Sequence, residues 1–135
     1  MSKFKFVLSV CFLSIPLFFA LCLSSTEAQA ASPEGRWRGG WSSESTGHKG
    51  TLRARVRPSG PDSYKAVFTG RFAVVIPFIY RADLKQVPGT CDCYTSTKKL
   101  PLLGTYRMTA NVSQNRLYAV FQGKKDKGVF QILSF

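Results

Sequence analysis

Acid is scarce in this chain: Asp and Glu together number 7, against 19 Lys and Arg. Past residue 30 the acids are Glu34, Glu44, Asp62, Asp83, Asp92 and Asp126, scattered and partly in turn contexts. No local carboxylate pair marks glycoside chemistry. There is no phosphate-cradling glycine loop, zinc-protease helix or dinucleotide fingerprint. Histidine occurs once, as His48, and residues 31–135 hold two cysteines, Cys91 and Cys93. A zinc site takes four ligands, usually Cys or His, so neither a metal nor a cofactor is expected. Long apolar runs are missing after Leu23, which excludes a spanning helix beyond that point. A helical period is also missing there, which excludes a helix bundle.

What is present at the start is an export signal. Lys3 and Lys5 precede an apolar run from Val7 to Leu23, and Ser24 to Ala30 is polar and ends in Ala28-Gln29-Ala30. A charged start, an apolar middle and a small-x-small ending are what a signal peptidase requires. Cleavage is expected after Ala30, with Ala31 as the alternative. An uncleaved anchor competes, but the run is short for a span and Pro16 weakens it. Lipidation at Cys22 competes too, but calls for a small residue where Leu21 stands. The expected division is therefore 1–30 as signal peptide and 31–135 as one domain, secreted or held in the periplasm or envelope, with no membrane span after cleavage. Loss of Lys3, Lys5 and Glu27 changes the formal net charge from +12 to +11. A field of that size on a small body attracts anionic surfaces.

Residues 31–135 alternate in the manner of β-strands. Trp37 and Trp41 share one face of Gly35–Trp41, with Arg36 and Arg38 on the other. Leu52, Ala54 and Val56 face one way in Thr51–Arg57; Arg53, Arg55 and Arg57 face the other. The segment 58–62 has turn composition, and Tyr64–Thr69 returns as the partner strand. Gly70-Arg71 reads as punctuation. Residues 72–80 are strongly apolar but hold Pro77, so a strand, a corner at Ile76-Pro77 and a second strand are expected. Gly104–Val112, Leu117–Gln122 and Val129–Phe135 complete the series, and Cys91–Leu103 reads as a strand plus a loop. The expected fold is all-β: a single small antiparallel meander barrel of about seven to nine strands, closed because closure removes sheet edges. A sandwich is the alternative.

Gly35-Arg36-Trp37 resembles the Gly-x-Trp on the first strand of lipocalins and other calycin-type barrels. The resemblance implies a Trp packed across one barrel end, covered by an Arg near the last strand. This chain departs from that pattern: the closing strand has no Arg, Arg116 sits one strand early, and Lys127 is a weak substitute. The longer run from Gly35 to about Leu84, with Thr46-Gly47-His48-x-Gly50-x-Leu52 and Tyr64-x-Ala-Val-Phe-x-Gly-Arg-Phe72, looks like a group of small exported bacterial β-proteins of unassigned function. That likeness implies an exported all-β domain and carries no activity with it.

The candidate binding residues follow from these strands. Arg53, Arg55 and Arg57 offer bidentate donors at regular spacing to an anionic partner. Arg36, Arg38 and the turn Lys124-Lys125-Lys127 would widen that patch. Trp37 and Trp41 either pack the core, stack on sugar or line a ligand pocket. Residues 72–79 form either a buried barrel corner or an apolar lip. Cys91 and Cys93 are free or loosely oxidised thiols, or a disulfide; in extended backbone their side chains stand about 6–7 Å apart, too far for easy bridging. The functional expectation is non-enzymatic binding of an anionic or amphipathic partner: an envelope surface, a polysaccharide or a small ligand. Nothing points specifically to nucleic acid. A structural envelope protein without a ligand is the alternative, and a hydrolase using His48 with Ser42, Ser43 or Glu44 is a third reading.

Overall fold

The computed structural model of the protein describes residues 31–73 and 75–135. The expected signal segment, 1–30, lies outside the described residues. Eight strands follow one another: β1 (Gly35–Ser43), β2 (Lys49–Gly60), β3 (Ser63–Phe72), β4 (Ile76–Gln86), β5 (Cys93–Leu100), β6 (Gly104–Ser113), β7 (Arg116–Gln122) and β8 (Lys127–Ser134). Each pairs antiparallel with the next, and β8 returns to β1, with Trp37 opposite Ser134 and Trp41 opposite Phe130. The all-β meander barrel expected from the alternation is therefore the fold, with eight strands and a closed sheet.

Period-two alternation sorts the side chains. Leu52, Ala54 and Val56 of β2, Met108, Ala110 and Val112 of β6, and Leu117, Ala119 and Phe121 of β7 are buried, while their neighbours point to water. Burying one large aliphatic side chain stabilises by roughly 1.5–3 kcal/mol. Small inward residues make room for large ones: Ala54, Ala66, Ala82 and Ala119 share the interior with Trp37, Phe68 and Tyr94. At Gly39 the interior also demands absence. A methyl group there would overlap the Gln131 carbonyl oxygen and sit 2.8 Å from the Ile132 Cα, so β1 and β8 approach closely only because this residue is glycine.

Several local expectations are corrected. β2 continues to Gly60 with a bulge at Pro58/Gly60, and the turn narrows to Pro61-Asp62, where Asp62 has φ 55°. Gly70 and Arg71 do not break the chain, since β3 runs through them to Phe72. At Gly70 the Phe78 ring fills the place of a side chain, 2.6 Å from where a Cβ would be. The corner falls between Phe72 and Ile76, not at Pro77, which lies inside β4 opposite Arg71. β4 pairs with β5 only at Lys85–Thr95 and Gln86–Tyr94, so Pro77 has a ladder partner on one side alone. A residue without an N–H fits such an edge. β8 begins at Lys127, and β5 is the strand within Cys91–Leu103.

One barrel end is sealed by the residues before β1. Pro33 is fully buried, and its carbonyl accepts a hydrogen bond from Trp37 Nε1 at 2.9 Å. The Ala31 carbonyl accepts one from the Tyr94 hydroxyl at 3.1 Å. Burial, reinforced by the neighbouring Tyr64, pushes the Tyr94 hydroxyl up to about 12 from 10.0. As pH rises above about 10 the unfolded chain loses this proton first, so it binds fewer protons than the native barrel and stability falls. Alkaline titration should therefore show Tyr94 ionising late, near pH 12, and a melting temperature that drops between about pH 10 and 12. Tyr94→Phe should remove the late-ionising group and flatten that drop.

Candidate binding site

The meander places the β1–β2, β3–β4, β5–β6 and β7–β8 connections at the end opposite the seal. There the barrel opens into a cavity of about 330 Å³ whose walls include Trp41, Phe78, Tyr80, Tyr106, Phe121 and Phe130. Phe121 and Phe130 lie 5.1 Å apart, and Phe78 meets Trp41 edge-on at 5.5 Å. Trp41 Nε1 donates to the Arg71 carbonyl at 3.2 Å, which fixes the indole against the end of β3. The lining is aromatic because the large inward residues of β1, β4, β6, β7 and β8 collect at this height, above the layers filled by Leu52, Leu84 and Leu117.

Polar handles are few. The Tyr80 hydroxyl and the Ser96 hydroxyl on β5 are buried and find no hydrogen-bond partner among the described residues. Burial, and secondarily Tyr106, raises the Tyr80 hydroxyl above its ordinary value. Burial, then Asp126, does the same for Tyr106. Both stay protonated donors at neutral pH. Asp126 sits at the cavity rim and accepts a hydrogen bond from buried Ser43 at 2.5 Å. The divergence of β4 from β5 opens a second cleft in the wall, about 620 Å³, past Ser96, Tyr64, Asp83 and Lys85.

Around the mouth stands a lip of exposed apolar side chains. Val75 is 75 % exposed and Ile79 65 %, Leu102 is fully exposed, and Ile76, Leu103 and Phe72 are open to water. The apolar-lip alternative for 72–79 is what the structure has; the buried corner is not. The reason is the position of the turn, which falls between Phe72 and Ile76 and not at Pro77.

The basic residues form a wall on the outside of the barrel. Register sets Arg36 opposite Arg55 and Arg38 opposite Arg53 between β1 and β2, and Arg57 opposite Lys65 between β2 and β3. Arg81 follows on β4, across from Val67, with Asp83 across from Lys65. The ion pair formed among the described residues is Lys127 to Glu44 at 3.4 Å, away from this wall. Arg38 lies over the Phe135 ring at 4.6 Å. A shallow groove of about 410 Å³ runs past Arg36, Arg53, Arg55, Val67, Thr69 and Phe135. The opposite wall, β6 to β8, spaces its exposed cations Arg107, Arg116 and Lys127 singly among Thr, Asn, Gln, Tyr118, Val120 and Leu133.

The sequence-derived candidates thus fall into separate places. Arg53, Arg55 and Arg57 join Arg36 and Arg38 in one patch. Lys124 and Lys125 do not widen it, because their turn lies at the mouth, at the far end of β8 from Ser134. Trp41 lines the cavity at 8 % exposure, whereas Trp37, 1 % exposed, is enclosed at the sealed end. His48, in the β1–β2 connection, packs at a tilt against Phe72 with ring centres 4.5 Å apart, and the Ser43 hydroxyl bonds to Asp126 rather than to it. Cys91 is exposed and Cys93 half-buried, and among the described residues neither is bridged. Among the described residues no group of three or more His, Cys, Asp and Glu is arranged to hold a metal ion. The sequence does not single out Tyr80, Tyr106, Leu102 or Leu103. The available cue is an apolar Pro-Leu-Leu-Gly at a turn, where polar residues are usual.

A scan against models of known families matches none of them, and a search of curated proteins finds no relative.

Proposed function

We propose that this is an exported, non-enzymatic binding protein for anionic partners, released from its signal peptide after Ala30 and acting outside the cytoplasm on an envelope surface or an acidic polysaccharide. The observation that carries the reading is the ladder of like charges. Arg36–Arg55 and Arg38–Arg53 stand directly opposite one another, and like charges so placed destabilise a sheet. A purely solubilising surface intersperses both signs. An anionic polymer lying along β1 to β3 would relieve the repulsion, and the groove beside Phe135 offers it a track.

Heparin serves as the test polymer. Its affinity should fall steeply with salt, and replacing Arg53, Arg55 and Arg57 together by Ser should flatten the log–log salt slope by roughly 2–3, about 0.7–0.9 for each arginine removed from the polymer's track. Equal slopes for the triple variant and the wild type would falsify the wall as the binding surface. A second reading rests on the mouth: an aromatic cavity with the unpartnered Tyr80 hydroxyl suits the tail and head of an amphipathic small ligand.

A further inference from the structure

We propose that the mouth of the barrel is a docking surface for an anionic lipid bilayer, with the tips of the β3–β4 and β5–β6 hairpins entering the headgroup boundary. The proposal rests on the reading of this protein as a binder of anionic partners and names the partner, but it uses residues outside the basic wall.

The composition of the tips is the first support. Leu102 is a non-glycine residue in the left-handed region, φ 67°, with its side chain wholly in water. Turn positions of this kind ordinarily take Gly, Asn or Asp, which accept the backbone and the solvent together. An apolar residue there is unfavourable on both counts, and such a feature persists where it serves a contact. Leu103 adjoins it, and Val75 and Ile76 repeat the pattern across the mouth. The segments 72–79 and 98–105 contain no acid.

Cations stand behind both tips. Arg71 precedes Phe72 on β3, Lys98 and Lys99 precede Leu100 on β5, and Lys124 and Lys125 lie in the β7–β8 connection at the same end. At about 3.3 Å per residue, Arg71 and Lys99 are roughly 10 Å back from the tips, while Lys124 and Lys125 lie in the mouth-end connection itself, next to Asp126. That order, apolar at the point and basic one step behind, matches the depth profile of an anionic bilayer, where apolar groups enter about 5–10 Å and basic groups meet the headgroups. A protein partner would not require the same ordering at both tips.

Flotation with vesicles tests this. The full mature chain should float with phosphatidylcholine containing about one-third phosphatidylglycerol, and weakly with phosphatidylcholine alone. Leu102→Ser with Leu103→Ser, and separately Val75→Ser with Ile76→Ser, should each lower binding roughly tenfold or more. All four side chains are exposed, so circular dichroism should remain that of the wild type. The Arg53, Arg55 and Arg57→Ser triple should keep most of its lipid binding while losing heparin binding. Leu102→Trp adds a direct readout, because its emission should shift to the blue on anionic vesicles.

Three results overturn the proposal. One is undiminished flotation of the lip variants. Another is an unshifted Leu102→Trp emission on vesicles. The third is a dimer, seen in ultracentrifugation and abolished by the lip substitutions, with no flotation at all; the lip would then be an interface between copies of this chain. Each of these leaves the heparin result, and so the wall, standing on its own.

Discussion

Gly39→Ala should cost this barrel about 3 kcal/mol or more, lowering its melting temperature by about 15 °C. In an ordinary strand, replacing Gly by Ala is stabilising, because glycine loses more entropy on folding. Here the added methyl meets the Gln131 carbonyl oxygen and the Ile132 Cα, and both are backbone atoms. No rotamer change can move them; β8 must shift as a whole. That shift would open the seam on which closure depends, since β1 and β8 pair from Trp37–Ser134 to Ser43–Gly128. Gly60→Ala is the control: a Cβ there would be 4.0 Å from its nearest neighbour, and the change should fall within about 0.5 kcal/mol. Thermal melts of the two variants side by side decide the matter. Equal melting temperatures would mean that β1 and β8 are not held at this distance.

Reversing charge on the wall should move stability and binding in opposite directions. Arg53→Glu with Arg55→Glu turns the facing pairs Arg38–Arg53 and Arg36–Arg55 from repulsive to attractive. The gain should be about 1 kcal/mol at low ionic strength, shrinking as salt screens it. Affinity for heparin should drop on the order of a hundredfold, counting about 1 kcal/mol for each basic side chain removed near an anionic surface and further repulsion from each acid added. Denaturant melts and titration calorimetry on the same samples measure both. Should the double variant be less stable than the wild type, the opposed arginines are not strained, and nothing then ties an anionic partner to this wall.

The sequence is most legible where information is local. Alternation in Leu52–Val56 against Arg53–Arg57 sets the inner and outer faces of β2, and its hairpin with β3 follows from the turn between them. The same rule marks Trp37 and Trp41 as inward and Arg36 and Arg38 as outward. Closure into a meander follows from the short connections. What stays hidden depends on neighbours far along the chain. Pro77 reads as a corner because a strand with partners on both sides cannot hold it; that β4 has a β5 partner only near Lys85 and Gln86 is a property of two strands, not of one. Gly70 reads as a break, yet it answers to a ring eight residues on. The aromatic residues of the cavity come from six strands, and no spacing relates Trp41 to Tyr106 or Phe130. The wall is half visible: three arginines on one strand can be read from a line of text, but their confrontation with Arg36 and Arg38 needs the register.

The pairing of β8 with β1 has a consequence for the order in which this chain can fold. The barrel is completed by hydrogen bonds between its first strand and its last. Until residues 127–134 are available, β1 keeps one edge bare and β7 keeps the other. Contacts between strands so distant in sequence form late and slowly. A chain of this topology therefore stays open until its last strand has been made. The same delay leaves two unpaired edges able to recruit strands from other copies. Refolding yield should accordingly fall as protein concentration rises, well before the native barrel itself shows any tendency to associate.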